Sequence, residues 1–254
     1  MGVFDTMPGA VMAMLMACFY APMASAVMTS KAGDTIRINE GKYYLNNSQW
    51  GAAKQNIGWQ QIFYNYDDDF GWRWSWPSTT SSFKADPSLI SGWHWSSQHS
   101  SNDMFPIALA SLHHLRSRLR FELKAQGRFS VMYDLWCHTT ANTHWYSLPT
   151  AEVVIWLNHT GTHPTGEYLS SVQADGYRWL LYVSKLPAGW PIFTFVLEEN
   201  VNALSVDIAP LLTYLTVHQL WEPESIFISG IEFGSEIYSG AGELRLRDWQ
   251  LAVD

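Results

Sequence analysis

The sequence feature that most limits the fold is a series of short segments in which apolar and polar residues alternate. Clusters of Gly, Pro, Asn and Asp separate these segments, and such clusters are typical of turns between strands. The segments lie at residues 128–136, 152–157, 179–183, 192–197, 226–233 and 243–253. Because no helices alternate with them, the sequence predicts an all-β fold, a jelly-roll sandwich of two antiparallel sheets built from short strands.

One helix is predicted at residues 208–220, where Leu211, Leu212 and Leu215 recur at helical spacing and Pro223 follows. We expect this helix to pack on the sandwich. Residues 34–254 contain no repeat, low-complexity tract or Pro/Ser-rich linker. The sequence therefore predicts a single domain at residues 27–254.

The N-terminal segment has the composition of a secretion signal. Residues 10–26 are small and apolar, carry no charge and end in Ala24-Ser25-Ala26, a pattern that signal peptidases accept. The segment is too short to span a membrane, and a polar stretch follows it. Its start carries Asp5 and no Lys or Arg, so a trimmed or misassigned start is the alternative. We predict that residues 1–26 are a signal peptide and that the mature protein is extracellular, without a membrane partner.

Aromatic residues are unusually frequent and charged ones are sparse. The chain has 14 Trp, 15% aromatic and 15% charged residues, and a formal net charge of −8. Indole faces stack on the C–H faces of sugars, so this composition favours a neutral, hydroxylated ligand. A net negative chain without a basic cluster argues against a nucleic-acid partner.

The sequence predicts neither a disulfide nor a metal site. Cys18 lies in the predicted signal, which leaves Cys137 as the only cysteine of the mature chain, and we interpret it as a small buried apolar residue rather than a nucleophile. His159 and His163 lie in a predicted turn, without a recognised zinc-binding spacing. We therefore expect no metal ion and no organic cofactor.

Carboxylates occupy one face of three predicted strands, because side chains two residues apart share a face. Their opposite faces are apolar. The acids are Asp134, Glu152, Glu232 and Glu236. A retaining glycosidase needs two carboxyls about 5 Å apart, one as nucleophile and one as general acid and base. Ordinary solvent-facing acids of an open sheet give the same pattern, and periodicity alone leaves both interpretations open.

At these strands the sequence resembles glycoside hydrolase family 12. The Glu-Val-Val-Ile-Trp-Leu segment at 152–157 is similar to the segment that carries the family's nucleophile, which implies this role for Glu152. Gly-Ser-Glu at 234–236 resembles the family's acid/base segment and implies that role for Glu236. Tyr-Asp-Leu at 133–135 resembles the segment whose Asp supports the nucleophile, here Asp134.

Further motifs extend the resemblance over residues 34–254 and suggest substrate contacts. Asn47 and Trp50 lie in a segment that resembles the family's Asn-Asn-x-Trp-Gly, which lines the glucosyl-binding cleft. Pro164 lies in a turn that resembles the one after the nucleophile strand, and we expect Trp136 and Trp156 to stack on glucose rings. Two departures are an extra residue between Asn47 and Trp50, and Val154 where the family usually has Met.

The resemblance implies a monomeric, retaining endo-β-1,4-glucanase with a long substrate cleft, acting on cellulose or mixed-linkage β-glucan. A xyloglucan-specific hydrolase with the same chemistry is one alternative, because loop shape decides between the two. Alternatives of another class are a non-catalytic carbohydrate-binding sandwich and a jelly-roll lectin. The presence of both glutamates together with Asp134 argues against a non-catalytic protein.

Overall fold

A computed structural model of the protein describes residues 26–52, 57–77, 82–95, 104–185 and 189–254. The predicted signal peptide lies, apart from its last residue, outside these ranges. The described strands are β1 (Val27–Thr29), β2 (Thr35–Ile38), β3 (Tyr43–Asn46), β4 (Trp59–Tyr66), β5 (Asp69–Trp76), β6 (Ser88–Gly92), β7 (Ile107–Ala108), β8 (Leu115–His138), β9 (Ala151–Thr160), β10 (Glu167–Ala174), β11 (Tyr177–Lys185), β12 (Pro191–Leu197), β13 (Ala203–Asp207) and β14 (Phe227–Val253). One helix, α1 (Ala209–Val217), lies between β13 and β14.

The strands form two layers, and the predicted jelly-roll sandwich is confirmed. One layer has the order β2-β3-β6-β14-β8-β9-β12-β11-β10, and the other has the order β1-β4-β5-β14-β8-β13. β8 and β14 belong to both layers. The sheets are not wholly antiparallel as predicted, because β9 and β12 pair in parallel.

The two shared strands are far longer than the predicted segments. β8 has 24 residues and β14 has 27. The separate strands predicted at 226–233 and 243–253 are one strand, because the glycine-rich stretch between them stays paired to β8 and is bulged rather than turned. Gly127 and Gly240 lie opposite each other at φ +115° and +101°, where a Cβ on either would overlap the partner backbone. These two glycines let both strands cross from one layer to the other.

The apolar faces predicted from alternation pack in the core between the layers. Val153, Ile155, Ile231 and Phe233 are all fully buried there. The helix is confirmed in a shorter form, and its residues Leu211, Leu212 and Leu215 join the same core. Cys137 is a buried free thiol, as we interpreted it. Within the described ranges no helix has the length and apolar character to cross a membrane.

Candidate active site

Three neighbouring strands present the predicted carboxylates on the face turned away from the main core. β8 lies between β14 and β9, and Asp134 on β8 lies directly opposite Glu232 on β14. Two residues further along β8, Trp136 lies opposite Glu152 on β9. Glu236 follows Glu232 on the same face of β14. The alternation therefore brings all four acids together, as the sequence predicts.

Glu152 is a half-buried carboxylate that receives one hydrogen bond from an indole. The Nε1–H of Trp190 donates to Oε2 of Glu152 over 3.2 Å. Burial raises the pKa of Glu152 to about 7, and the charges of Glu236 and Glu232 act in the same direction. Sequence reasoning missed Trp190. It immediately precedes β12, and only the parallel pairing of β12 with β9 brings it to Glu152.

Glu236 is also half-buried and accepts two hydroxyl groups. The Oγ–H of Ser130 lies 3.3 Å from Oε2 of Glu236, and the phenol of Tyr238 lies 3.4 Å from the same oxygen. Burial raises the pKa of Glu236 to about 7, and the neighbouring charge of Asp86 adds to this rise. Near neutral pH this carboxyl is able to hold a proton and to release it, as a general acid and base must.

Asp134 is the acid in the least favourable surroundings for a charge. Its Oδ1 is buried and has no hydrogen-bond partner among the residues that the structure describes. Burial and the charges of Glu152, Glu232 and Glu236 raise the pKa of Asp134 well above its usual value. These surroundings favour the protonated form of Asp134 over its charged form.

Glu232 is a buried residue and, unlike Asp134, has donors that hold it as an anion. Nδ1 of His94 lies 2.5 Å from its Oε1, Trp136 Nε1–H donates to the same oxygen, and Ser88 Oγ–H donates to Oε2 over 2.6 Å. Burial opposes ionisation, but the charge of His94 and these hydrogen bonds together keep the pKa of Glu232 below its usual value. The sequence placed Glu232 on the correct face, but no motif indicated its pairing with His94.

Tryptophan rings form one wall beside the carboxylates. Trp95 lies between Trp136 and Trp190, with ring centroids 6.5 Å and 5.6 Å away. Trp136 is half-buried, whereas Trp156 is only 3% exposed and packs with Met132, Val154 and Trp190. Among the predicted sugar contacts, Trp136 thus keeps an exposed part and Trp156 lies in the floor beneath the wall.

A second aromatic group lies on the Glu236 side. Trp50 is 69% exposed and packs on Phe83 at 4.5 Å, and Phe83 meets Tyr238 edge-on at 5.9 Å. This chain of rings connects Trp50 to the phenol that contacts Glu236. An exposed indole in this position is suited to stacking on a sugar ring.

The two remaining predicted contacts are less favourably placed. Asn47 is fully buried, donates from Nδ2 to the Lys31 carbonyl over 3.0 Å and accepts from Gln60 over 3.0 Å. The side chain of Asn47 therefore holds the loop before Trp50 in place, and it has no exposed surface for direct contact with a sugar. Pro164 is half-exposed in the loop between β9 and β10.

The described part of the chain contains no group of three or more His, Cys, Asp or Glu residues arranged to hold a metal ion. The site contains two carboxyls, Glu152 and Glu236, whose pKa values are raised to about 7, and indole rings lie beside them. A β-sandwich that carries such a face defines a class of protein, the β-sandwich glycoside hydrolases.

Comparison with known proteins identifies the family within this class. The family described as Glycosyl hydrolase family 12 matches residues 41–254, and the chain belongs to it. Endoglucanase S of Pectobacterium parmentieri is 38% identical over 234 residues, which are 90% of this chain and 88% of that protein. A probable xyloglucan-specific endo-β-1,4-glucanase A of Aspergillus fumigatus is 23% identical over 85% of this chain and 88% of its own.

Solved structures agree with the family assignment. The native family 12 xyloglucanase from Bacillus licheniformis superimposes with a TM-score of 0.86 at 33% identity, covering 90% of this chain and all of that chain. Endoglucanase cel12A from Rhodothermus marinus has the same fold, with a TM-score of 0.80 at 23% identity over 90% of this chain and 99% of that chain.

Proposed function

We propose that this protein is a retaining endo-β-1,4-glucanase that cleaves internal bonds of β-glucans. The observation that carries the proposal is the placement of Glu152 and Glu236 on one face, with the pKa of each raised to about 7, beside Asp134, whose pKa is raised well above its usual value. The identity of 38% to a protein named Endoglucanase S supports the substrate class.

The proposed reaction has two steps, and each carboxyl acts twice. In the first, Glu152 attacks the anomeric carbon, the glycosidic C–O bond breaks, and Glu236 gives its proton to the leaving oxygen. In the second, Glu236 takes a proton from water, the resulting hydroxyl attacks the same carbon, and Glu152 leaves as a carboxylate. Two inversions give net retention. Asp134 supports the ionised state of Glu152, and Trp50 and Trp136 offer rings for stacking.

The distribution of charge between the acids follows from their neighbours. Trp190 donates to Glu152, which favours Glu152 as the anion, and the raised pKa of Asp134 favours a proton on Asp134 beside it. The charge of Asp86 raises the pKa of Glu236, and it also raises that of Glu152, where the charges of Glu236 and Glu232 contribute more. The pKa of each carboxyl is raised to about 7, so the assignment of nucleophile and acid rests on the Trp190 hydrogen bond, on Asp134 and on the resemblance to the family segments.

A xyloglucan-specific hydrolase is the second candidate, and the likeness to the Bacillus licheniformis xyloglucanase favours it. Both candidates use the same carboxylates. They differ in whether the cleft accepts xylosyl branches.

The test measures reducing-sugar release from carboxymethylcellulose, barley β-glucan and xyloglucan. We expect the wild type to cleave at least one polymer and Glu152→Gln and Glu236→Gln each to lose at least about 1,000-fold in kcat/KM. Glu243→Gln is a matched control, since Glu243 lies on β14 and pairs with Arg245 at 2.7 Å, away from this face. Binding of these polymers without cleavage by the wild type would instead support the carbohydrate-binding alternative.

We further propose that the protein is exported and acts as a monomer. The apolar segment at residues 10–26, which ends in Ala24-Ser25-Ala26, supports export. The N-terminal sequence and the sedimentation of the protein recovered from culture medium test both points. A mature protein that begins near residue 27 and sediments at the mass of one chain is expected, and an intracellular protein with an intact N-terminus contradicts export.

A further inference from the structure

Glu232 is a buried carboxylate that the proposed reaction does not use, although it lies directly opposite Asp134. Directly opposed residues of an antiparallel pair have Cβ atoms about 5 Å apart. Both oxygens of Glu232 are occupied: Oε1 by His94 and Trp136, and Oε2 by Ser88. These donors stabilise a charge that burial alone would remove.

Asp134 has the opposite surroundings. Its Oδ1 has no partner within the described ranges, and four neighbouring acids raise its pKa. They are Glu152 on β9, Glu232 and Glu236 on β14, and Asp86 in the segment before β6. A protonated carboxyl has one O–H to donate, and Glu232 already accepts from three donors. Glu152 lies on β9, the neighbour of β8 on the side away from Glu232, and it is a carboxyl that can accept the proton of Asp134.

We propose that Glu232, fixed as an anion by His94, Ser88 and Trp136, is a positioning residue that keeps the proton on Asp134 and so directs the Asp134 hydrogen bond to Glu152. This inference rests on the proposed function of Glu152 as nucleophile. It assigns to the His94–Glu232 pair a role in setting which carboxyl attacks. His94 lies in the segment after β6, and Asp86 is the other charged group that acts on both members of the pair.

Trp136 gives Glu232 a second means of acting on the site. Its indole N–H donates to Glu232, and its ring centroid lies 6.5 Å from that of Trp95. Trp136 pairs with Glu152 in the register of β8 and β9. Trp95 in turn contacts Trp190, the donor to Glu152. Loss of the Glu232 charge and loss of this ring orientation have different signatures, because only the charge moves a pH profile.

The experiment compares Glu232→Gln with the wild type and with Glu243→Gln, a carboxyl on the same strand outside the site. Removal of the negative charge beside Asp134 lowers the proton affinity of the Asp134–Glu152 pair. The acidic limb of the kcat/KM profile then moves to lower pH, by about one unit for charges at this separation. We expect no such move in Glu243→Gln. A uniform loss of kcat at every pH with an unmoved limb would mean that Glu232 is only structural, and would overturn the proposal.

A second measurement tests the protonation of Asp134 first in the wild type, so its main outcome does not depend on the folding of a Glu232 variant. Infrared spectroscopy of the wild type at pH 7 detects the C=O stretch of a protonated carboxyl, and subtraction of Asp134→Asn assigns it to Asp134. We expect this band in the wild type, and in Glu232→Gln we expect it to disappear at a lower pH. Its absence from the wild type overturns the inference. An inactive wild type that nevertheless has the band contradicts the proposed function alone.

Discussion

The indole N–H of Trp190 donates to Oε2 of Glu152 over 3.2 Å, and among the described residues it is the side-chain donor to this carboxylate. Trp190 lies in the segment before β12, whereas Glu152 lies near the start of β9, its parallel neighbour. The charge of the proposed nucleophile thus depends on a residue 38 positions away in the sequence.

Trp190→Phe keeps an aromatic ring and removes this donor. The pKa of Glu152 then rises, so the acidic limb of the kcat/KM profile should move to higher pH. Activity at the optimum should fall about 10-fold, since a hydrogen bond to a charged group contributes about 1.5–3 kcal/mol. Trp179→Phe is the control, because Trp179 donates to a backbone carbonyl at 3.4 Å in the core. An unmoved limb in Trp190→Phe contradicts a role in the charge of Glu152.

Azide distinguishes the nucleophile from the acid/base. In Glu152→Ala, azide enters the space of the nucleophile and attacks an activated β-glucosyl substrate directly, so we expect an α-glucosyl azide. In Glu236→Ala the glucosyl-enzyme still forms, azide replaces water in the second step, and we expect a β-glucosyl azide. Proton NMR of the products identifies the anomer. Exchange of the two products between the variants would reverse the assignment.

Glu236→Gln should stabilise the fold at alkaline pH and not at acidic pH. The pKa of Glu236 is raised from 4.5 to about 7 by burial and Asp86. Below about pH 4.5 folded and unfolded states both hold the proton, and between that value and about 7 only the folded state does. Wild-type stability therefore falls as pH rises through this window.

Glu236→Gln does not lose stability in this window. Its free energy of unfolding should exceed that of the wild type by nearly zero at pH 4 and by about 2 kcal/mol at pH 8, a difference reduced for the partial exposure of the side chain. Urea unfolding at the two pH values measures it, and Glu243→Gln serves as the comparison. An advantage of equal size at both pH values would exclude proton linkage as its cause.

Gly240→Ala should destabilise the bend that β14 makes with β8. The residue has φ +101°, and its added Cβ would overlap the Gln126 carbonyl. Strain and overlap together should cost about 3 kcal/mol. Gly33→Ala is the matched control, because Gly33 has φ +77° with no atom within 4 Å, and it should cost only about 1 kcal/mol. Equal costs in urea unfolding would mean that close packing at the bend contributes nothing.

Period-two alternation is sufficient to place Asp134, Glu152, Glu232 and Glu236 on one face, because one face of each strand must enter the core. It does not reveal which acids are ionised. His94 and Trp190 decide that, and each reaches the site through pairing between segments distant in sequence. Their local sequence carries no periodic signal for such a contact.

Local sequence patterns also did not predict the length of the strands or the structural role of Asn47. The stretch around Gly240 has the composition of a turn, yet pairing with β8 keeps it in one strand. Asn47 matches a family motif, but its amide is used by Lys31 and Gln60 within the loop. Composition identifies residues that are able to form a turn or to bind a ligand. Contacts between segments distant in the sequence decide whether they do so in the folded protein.

The passage of β8 and β14 through both layers has a consequence for the dynamics of the enzyme. The backbone that carries Asp134 and Glu236 is the same backbone that holds the second layer together. A local opening of the backbone at either carboxyl would therefore also disrupt strand pairing in the second layer. Amide protons around the site should therefore exchange with solvent only through global unfolding, and heat should abolish catalysis and structure in a single cooperative transition.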